Sequence, residues 1–185
     1  MNSVKKLLYG KQSTILSAAT VIMFMIASSR ILGLIRQRVL VHFFSAGELD
    51  SYFAAFQLPD LIFEVIVLGA MSSAFIPTFA KKLAQKKDRE AWHLAGLILN
   101  VMLAFFLLIS GLIFTFAYPL YDTVASGFTQ EQVAQTVLFT RILLLAQMFF
   151  AASYVFTAVL ESHQRFLTPA IAPLFYNIAI IVTTI

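Results

Sequence analysis

The chain has 185 residues, 60% of them hydrophobic and 12% charged, and a mean hydropathy of +0.87. A soluble domain is about half apolar and a quarter charged, so this composition excludes one and indicates an integral membrane protein. The formal net charge of +4 does not signal nucleic acid, because most basic residues flank apolar segments and act as topology signals. With no cysteine and three dispersed histidines, no disulfide framework, metal cluster or cofactor is expected.

Crossing a hydrocarbon core of roughly 30 Å takes about 20 mostly apolar residues, and five segments meet or approach this: 13–42, 51–80, 92–118, 134–160 and 168–185. The first follows a basic tail with Lys5, Lys6 and Lys11. It is too long for a signal peptide and is followed by more membrane. Gly33 in this span, and Pro59 and Gly69 in the next, are hinge or packing candidates, since such residues permit kinks and close helix approach in membranes. The connection "KKLAQKKDRE" after the second span carries five basic residues, whereas "YDTVASGFTQEQVAQ" after the third carries none. By the positive-inside rule the first of these loops is cytoplasmic. The N-terminal tail and the "ESHQR" turn with Arg165 then fall on the same side, and all connections agree with one alternating topology. Tyr118 and Pro119 end the third span, with Tyr118 and Trp92 at interfacial positions. The last segment stops at Ile185 within an apolar run, which reads as the truncated front part of a longer membrane protein.

Charged residues inside these spans need an explanation, because each costs about 2.5 to 3.5 kcal/mol on insertion scales unless it faces a bundle interior or a water-filled cavity and finds a partner. Arg30 and Arg36 are about 120° apart around a regular helix and roughly 9 Å apart along it, so they can line two walls of one cavity. Arg38, nearer the outer end, reads as an interfacial anchor that snorkels. Asp50 suits an N-cap for the second span. Asp60 and Glu64 share one helix face, which fits either a counter-charge for an arginine or a site for a proton or cation. Arg141 is either a further counter-charge or an anchor near the outer interface.

The ordered strings "SRILGLIR", "FFSAGELDSYFAAFQLPDL", "GAMSSAFIPTF", "ASGF" and "RILLLAQMFFAASYVFTAVLESHQRFLTPAIAPLFYNIAII" resemble the MurJ (MviN) lipid II flippase family of the MOP transporter superfamily over nearly the whole chain. The resemblance implies an all-α polytopic protein whose five spans form part of the N-terminal lobe of a 14-helix transporter. The remaining C-terminal helices of the same protein complete the cavity. Family members move the undecaprenyl-diphosphate-linked peptidoglycan precursor across the bacterial inner membrane by alternating access. Arg30 and Arg36 match the family's cavity arginines, and Asp50 matches an important family acid. Arginine forks suit diphosphate oxygens and stay protonated. Transport makes no covalent bond, so no catalytic residue and no enzyme activity are expected. Three departures stand out: Phe63-Glu64 replaces a further cavity arginine, Asp60 stands where the family's "LPN" has asparagine, and Leu145 stands at a prolyl position. Asp60 and Glu64 keep open an exporter of another lipid-linked saccharide or a cation-coupled drug exporter of the same superfamily. A non-transporting scaffold would require Ile185 to be the true end.

Overall fold

The structure, a computed structural model, describes residues 15–65 and 75–185. Among them the chain is helical, with α1 (Ile15–Phe43), α2 (Ala46–Phe63), α3 (Ile76–Ala84), α4 (Asp88–Val124), α5 (Gln130–Ser162) and α6 (Leu167–Thr184). Helices α4, α5 and α6 are each long and apolar enough to cross a membrane. The described residues of the expected span 51–80 fall in α2 and α3, while Gly69 and the basic tail lie outside the described residues. The third span does not end at Pro119: α4 runs through it to Val124.

Two compact units make up the chain, one of residues 1–45 with 159–185 and the other of residues 46–158. In the first, α1 packs on α6 through buried Asn177, whose Nδ2 donates to Ser29 O at 3.2 Å and to Pro173 O at 3.0 Å. Gly33 makes no close approach here, since a Cβ added to it would meet nothing within 4 Å. The α1 helix also passes through it without interruption.

In the second unit, α2 and α5 run parallel and are joined by buried polar groups. Small residues Gly47, Ser51, Ala55 and Pro59 recur every fourth position on α2, the spacing that lets membrane helices approach closely. Opposite them, Gln132 Nε2 donates to Gly47 O at 3.4 Å, and Thr136 Oγ1 donates to Ser51 O at 3.4 Å. Thr140 Oγ1 donates to Ala55 O at 3.2 Å and lies 3.0 Å from Tyr121 Oη, which donates to Ala54 O at 3.2 Å. Ser51, Thr136 and Thr140 are fully buried. Pro59 explains the key contact: lacking an N–H, it cannot bond to the carbonyl four residues earlier, which is Ala55 O. Thr140 supplies the missing donor, and α2 continues without breaking.

The connections obey the usual end chemistry of helices. Thr129 and Gln132 form a capping box, with Gln132 N donating to Thr129 Oγ1 at 3.3 Å and Thr129 N to Gln132 Oε1 at 3.0 Å, and this starts α5. Both basic turns close on a residue in the left-handed conformation. Lys87 N donates to Lys82 O and Lys86 N to Leu83 O, with Lys86 at φ 57°; Arg165 N donates to Leu160 O and Gln164 N to Glu161 O, with Gln164 at φ 59°. This is the Schellman pattern, in which glycine normally takes the left-handed position. At the first of these turns Lys82 Nζ lies 2.8 Å from Glu90 and holds its carboxyl below the usual carboxylate range. The clasp is therefore present at neutral pH and opens only as pH falls through that lowered value.

An exposed apolar stripe on α4, including Leu97, Val101, Phe105, Leu108, Leu112 and Phe116, needs an apolar surrounding. Trp92 and Tyr118 are exposed on the same helix and about 39 Å apart at 1.5 Å per residue. That distance matches two membrane interfaces.

The α2–α5 joint predicts that Thr140→Val destabilises the folded protein by about 0.6 to 1.7 kcal/mol, the span of interhelical hydrogen bonds measured in membranes, as read by denaturant titration in micelles. Thr140→Ser, which keeps the donor, should cost less than Thr140→Val.

Candidate functional site

The sequence points to charges in the first two spans, and the structure gives each a distinct setting. In the first unit, Arg30 and Arg38 are exposed on α1, while Arg36 is half-buried. The Arg36 guanidinium carbon lies 5.8 Å from the centroid of the Tyr176 ring on α6. Its Nε is buried and has no hydrogen-bond partner. Stacking on an aromatic face holds a guanidinium without consuming its N–H donors. Ser29 and Arg36 are two turns apart on α1, and the adjacent pair Tyr176 and Asn177 meets both. The α1–α6 contact thus fixes the segment that carries Arg30 and Arg36.

Charge in this unit is lopsided. The sequence places Arg30, Arg36 and Arg38 in α1, and the unit's one carboxylate is Glu161, at the end of α5. The "SHQRF" turn separates Glu161 from α6, and α1 itself carries its arginines with no acid on its own helix.

In the second unit, Asp50 is not an N-cap. Helix α2 begins at Ala46, Glu48 occupies its first turn, and Asp50 is an exposed residue inside the helix. Asp60 accepts a 2.7 Å hydrogen bond from Nε2 of buried Gln147 on α5. Glu64 follows one turn later and is exposed, in a π-helical turn with Val65. Arg141 pairs with neither acid in this unit. Its Nε donates to Phe114 O at 3.1 Å and its guanidinium carbon lies 4.8 Å from the Phe114 centroid on α4, so it is a structural clamp between α4 and α5. Among the described residues the ion pairs are Lys82–Glu90 and Lys87–Glu90.

Sequence reasoning based on charge misses Gln147, Thr140 and Tyr176. The first two carry a usable signal: a polar side chain within an apolar run needs a partner for the same desolvation reason as a charge. Tyr176 carries none, because a single aromatic in the middle of an apolar helix is ordinary packing surface.

The Asp60 contact predicts an asymmetry between its partners. Gln147→Leu leaves a carboxylate without its donor and should cost about 1 to 3 kcal/mol; Asp60→Asn keeps an acceptor for Gln147 and should cost less than 1 kcal/mol by the same reasoning. Denaturant titration of both variants in micelles measures the difference.

The family model described as "Lipid II flippase MurJ" matches residues 40–185. The chain is 33% identical over 172 residues to the lipid II flippase MurJ of Thermosipho africanus, covering 88% of this chain and 34% of that protein. It is 26% identical over 175 residues to the probable lipid II flippase MurJ of Rickettsia prowazekii, covering 93% and 34%. It is 28% identical over 160 residues to the lipid II flippase MurJ of Burkholderia cenocepacia, covering 85% and 31%. No solved structure matches. The chain spans about a third of the length of these relatives, and with most of its residues matched it belongs to the MurJ lipid II flippase family.

Proposed function

We propose that this chain is the front part of the N-terminal lobe of a lipid II flippase, which moves an undecaprenyl-diphosphate-linked muropeptide across the bacterial cytoplasmic membrane by alternating access. The observation that carries this reading is the arginine-bearing α1: three arginines, Arg36 Nε buried without a partner, and no carboxylate on the helix. A cation held at membrane depth without an acid is suited to a mobile anion. Arg30 and Arg36 bind the diphosphate, and Arg36 presents its remaining N–H donors while Tyr176 supports its face. Asp50, exposed near the start of α2, is a further substrate-binding residue in this reading, on the family resemblance. Asp60 and Glu64 serve as the ion or counter-charge positions.

The topology in this reading has five spans with the N-terminus cytoplasmic, within a 14-helix transporter. The parallel α2–α5 pair supports it, because α4 crosses once between them and alternation then requires α2 and α5 to point the same way. Nothing in the transport cycle calls for bond making, so the protein acts as a transporter and not as an enzyme. The remaining helices of the full-length protein close the cavity, as one partial lobe cannot enclose it.

The test is growth complementation of a flippase-depleted bacterium by the full-length protein. Arg30→Ala and Arg36→Ala are expected to abolish rescue at normal expression. Arg36→Lys should rescue weakly, because an ammonium cannot reproduce the bidentate fork. Full rescue by the alanine variants would overturn the assignment.

A further inference from the structure

Between the end of α3 and the first turns of α4 lies an open cavity of about 740 Å³, remote from the arginines of α1 in sequence and lined by Lys82, Lys86, Lys87 and Arg89. Two carboxylates, Asp88 and Glu90, share the rim with His93, and Leu94 and Leu97 form the apolar side. Four cations thus face two acids. Glu90 is already engaged twice, at 2.8 Å from Lys82 and 3.4 Å from Lys87. Lys86 and Arg89 make no ion pair among the described residues. Lys86 stands in the left-handed position of the turn, where glycine would be the easier residue.

The apolar side matters as much as the charge. Leu97 begins the exposed stripe that continues through Val101 and Phe105 along α4. Trp92, five residues before Leu97, is 55% exposed, at interfacial depth. The cavity therefore joins an anion-binding rim to a lipid-facing groove at a membrane surface. A free phosphate would use the rim and leave Leu94 and Leu97 idle. A zwitterionic lipid would bring its own cation against Lys86 and Arg89. We infer that this cavity binds the head group of an anionic glycerophospholipid, such as phosphatidylglycerol, with the phosphate on Lys86 and Arg89 and an acyl chain along Leu94 and Leu97. Basic pockets at membrane surfaces are suited to such head groups.

Glu90 gives the proposal a signature of opposite sign. Its charge offsets Lys82 and Lys87 on the same rim and repels an incoming phosphate, so removing it should tighten binding while removing Lys86 and Arg89 should loosen it. The full-length protein in detergent is titrated with dioctanoyl phosphatidylglycerol and, separately, with dioctanoyl phosphatidylcholine, and bound lipid is counted by native mass spectrometry. At a worth of one juxtamembrane cation each, Lys86→Gln with Arg89→Gln is expected to weaken phosphatidylglycerol binding about 25-fold, and Glu90→Gln to strengthen it about fivefold. Phosphatidylcholine binding should stay unchanged in both variants. Glutamine is compatible with the turn at position 86, since Gln164 adopts the same conformation in the matching turn. Lys86→Arg with Arg89→Lys, which keeps both charges, should retain binding and controls for folding. Equal affinity for the two lipids, unchanged phosphatidylglycerol binding in the double glutamine variant, or displacement of the lipid by inorganic phosphate would each overturn the proposal.

Discussion

Ala55 O is the constraint from which much of the second unit follows. Pro59 removes the N–H that would have bonded to it, and in hydrocarbon an unsatisfied backbone group costs several kcal/mol. Thr140 Oγ1 meets it at 3.2 Å, and for a side chain as short as threonine to do so, α5 must lie close against α2. The four-residue repeat of small groups at Gly47, Ser51 and Ala55 makes that approach possible. Once Thr140 is set, the parallel register is set as well: Thr136 falls opposite Ser51, and Gln147 falls opposite Asp60. A backbone defect and a candidate functional carboxylate are thus positioned by the same helix pairing.

The first unit solves a different problem, that of carrying arginines in an apolar helix without acids. Arg36 is supported from one side by the Tyr176 ring, a contact that stabilises the cation without neutralising it. Asn177, one residue on, ties α6 to the backbone of α1 at Ser29. Support and neutralisation are separate functions here. A salt bridge would have stabilised Arg36 at the expense of its capacity to meet an anion, whereas an aromatic face leaves its N–H groups available.

Helix positions were legible in the sequence because hydropathy alone limits where a chain can cross a bilayer. The expected spans 92–118, 134–160 and 168–185 correspond to α4, α5 and α6. Ends were harder. Pro119 looks like a terminator, yet a proline removes one hydrogen bond and need not end a helix whose neighbours hold it, and α4 continues to Val124. Asp50 looks like a cap, yet the helix starts four residues earlier, at Ala46. The charged site residues were legible as expensive groups, but their partners were not. Desolvation says that Asp60 and Arg141 need something, without saying that one takes a glutamine amide and the other a backbone carbonyl and a phenyl ring.

That choice of partner bears on the departures in the second span, where this chain has Asp60 and Phe63-Glu64. An arginine beside Asp60 would hold the carboxylate ionised, since the pair is stabilised only in its charged form. Gln147 behaves differently. Its amide offers both donors and an acceptor, so it can hydrogen-bond a carboxylate through Nε2 and, after rotation, accept from a carboxylic acid through Oε1. The contact at 2.7 Å therefore anchors the Asp60 side chain without committing it to one protonation state. A group anchored in this way keeps its position while its charge changes, as the ion or counter-charge role proposed for Asp60 requires.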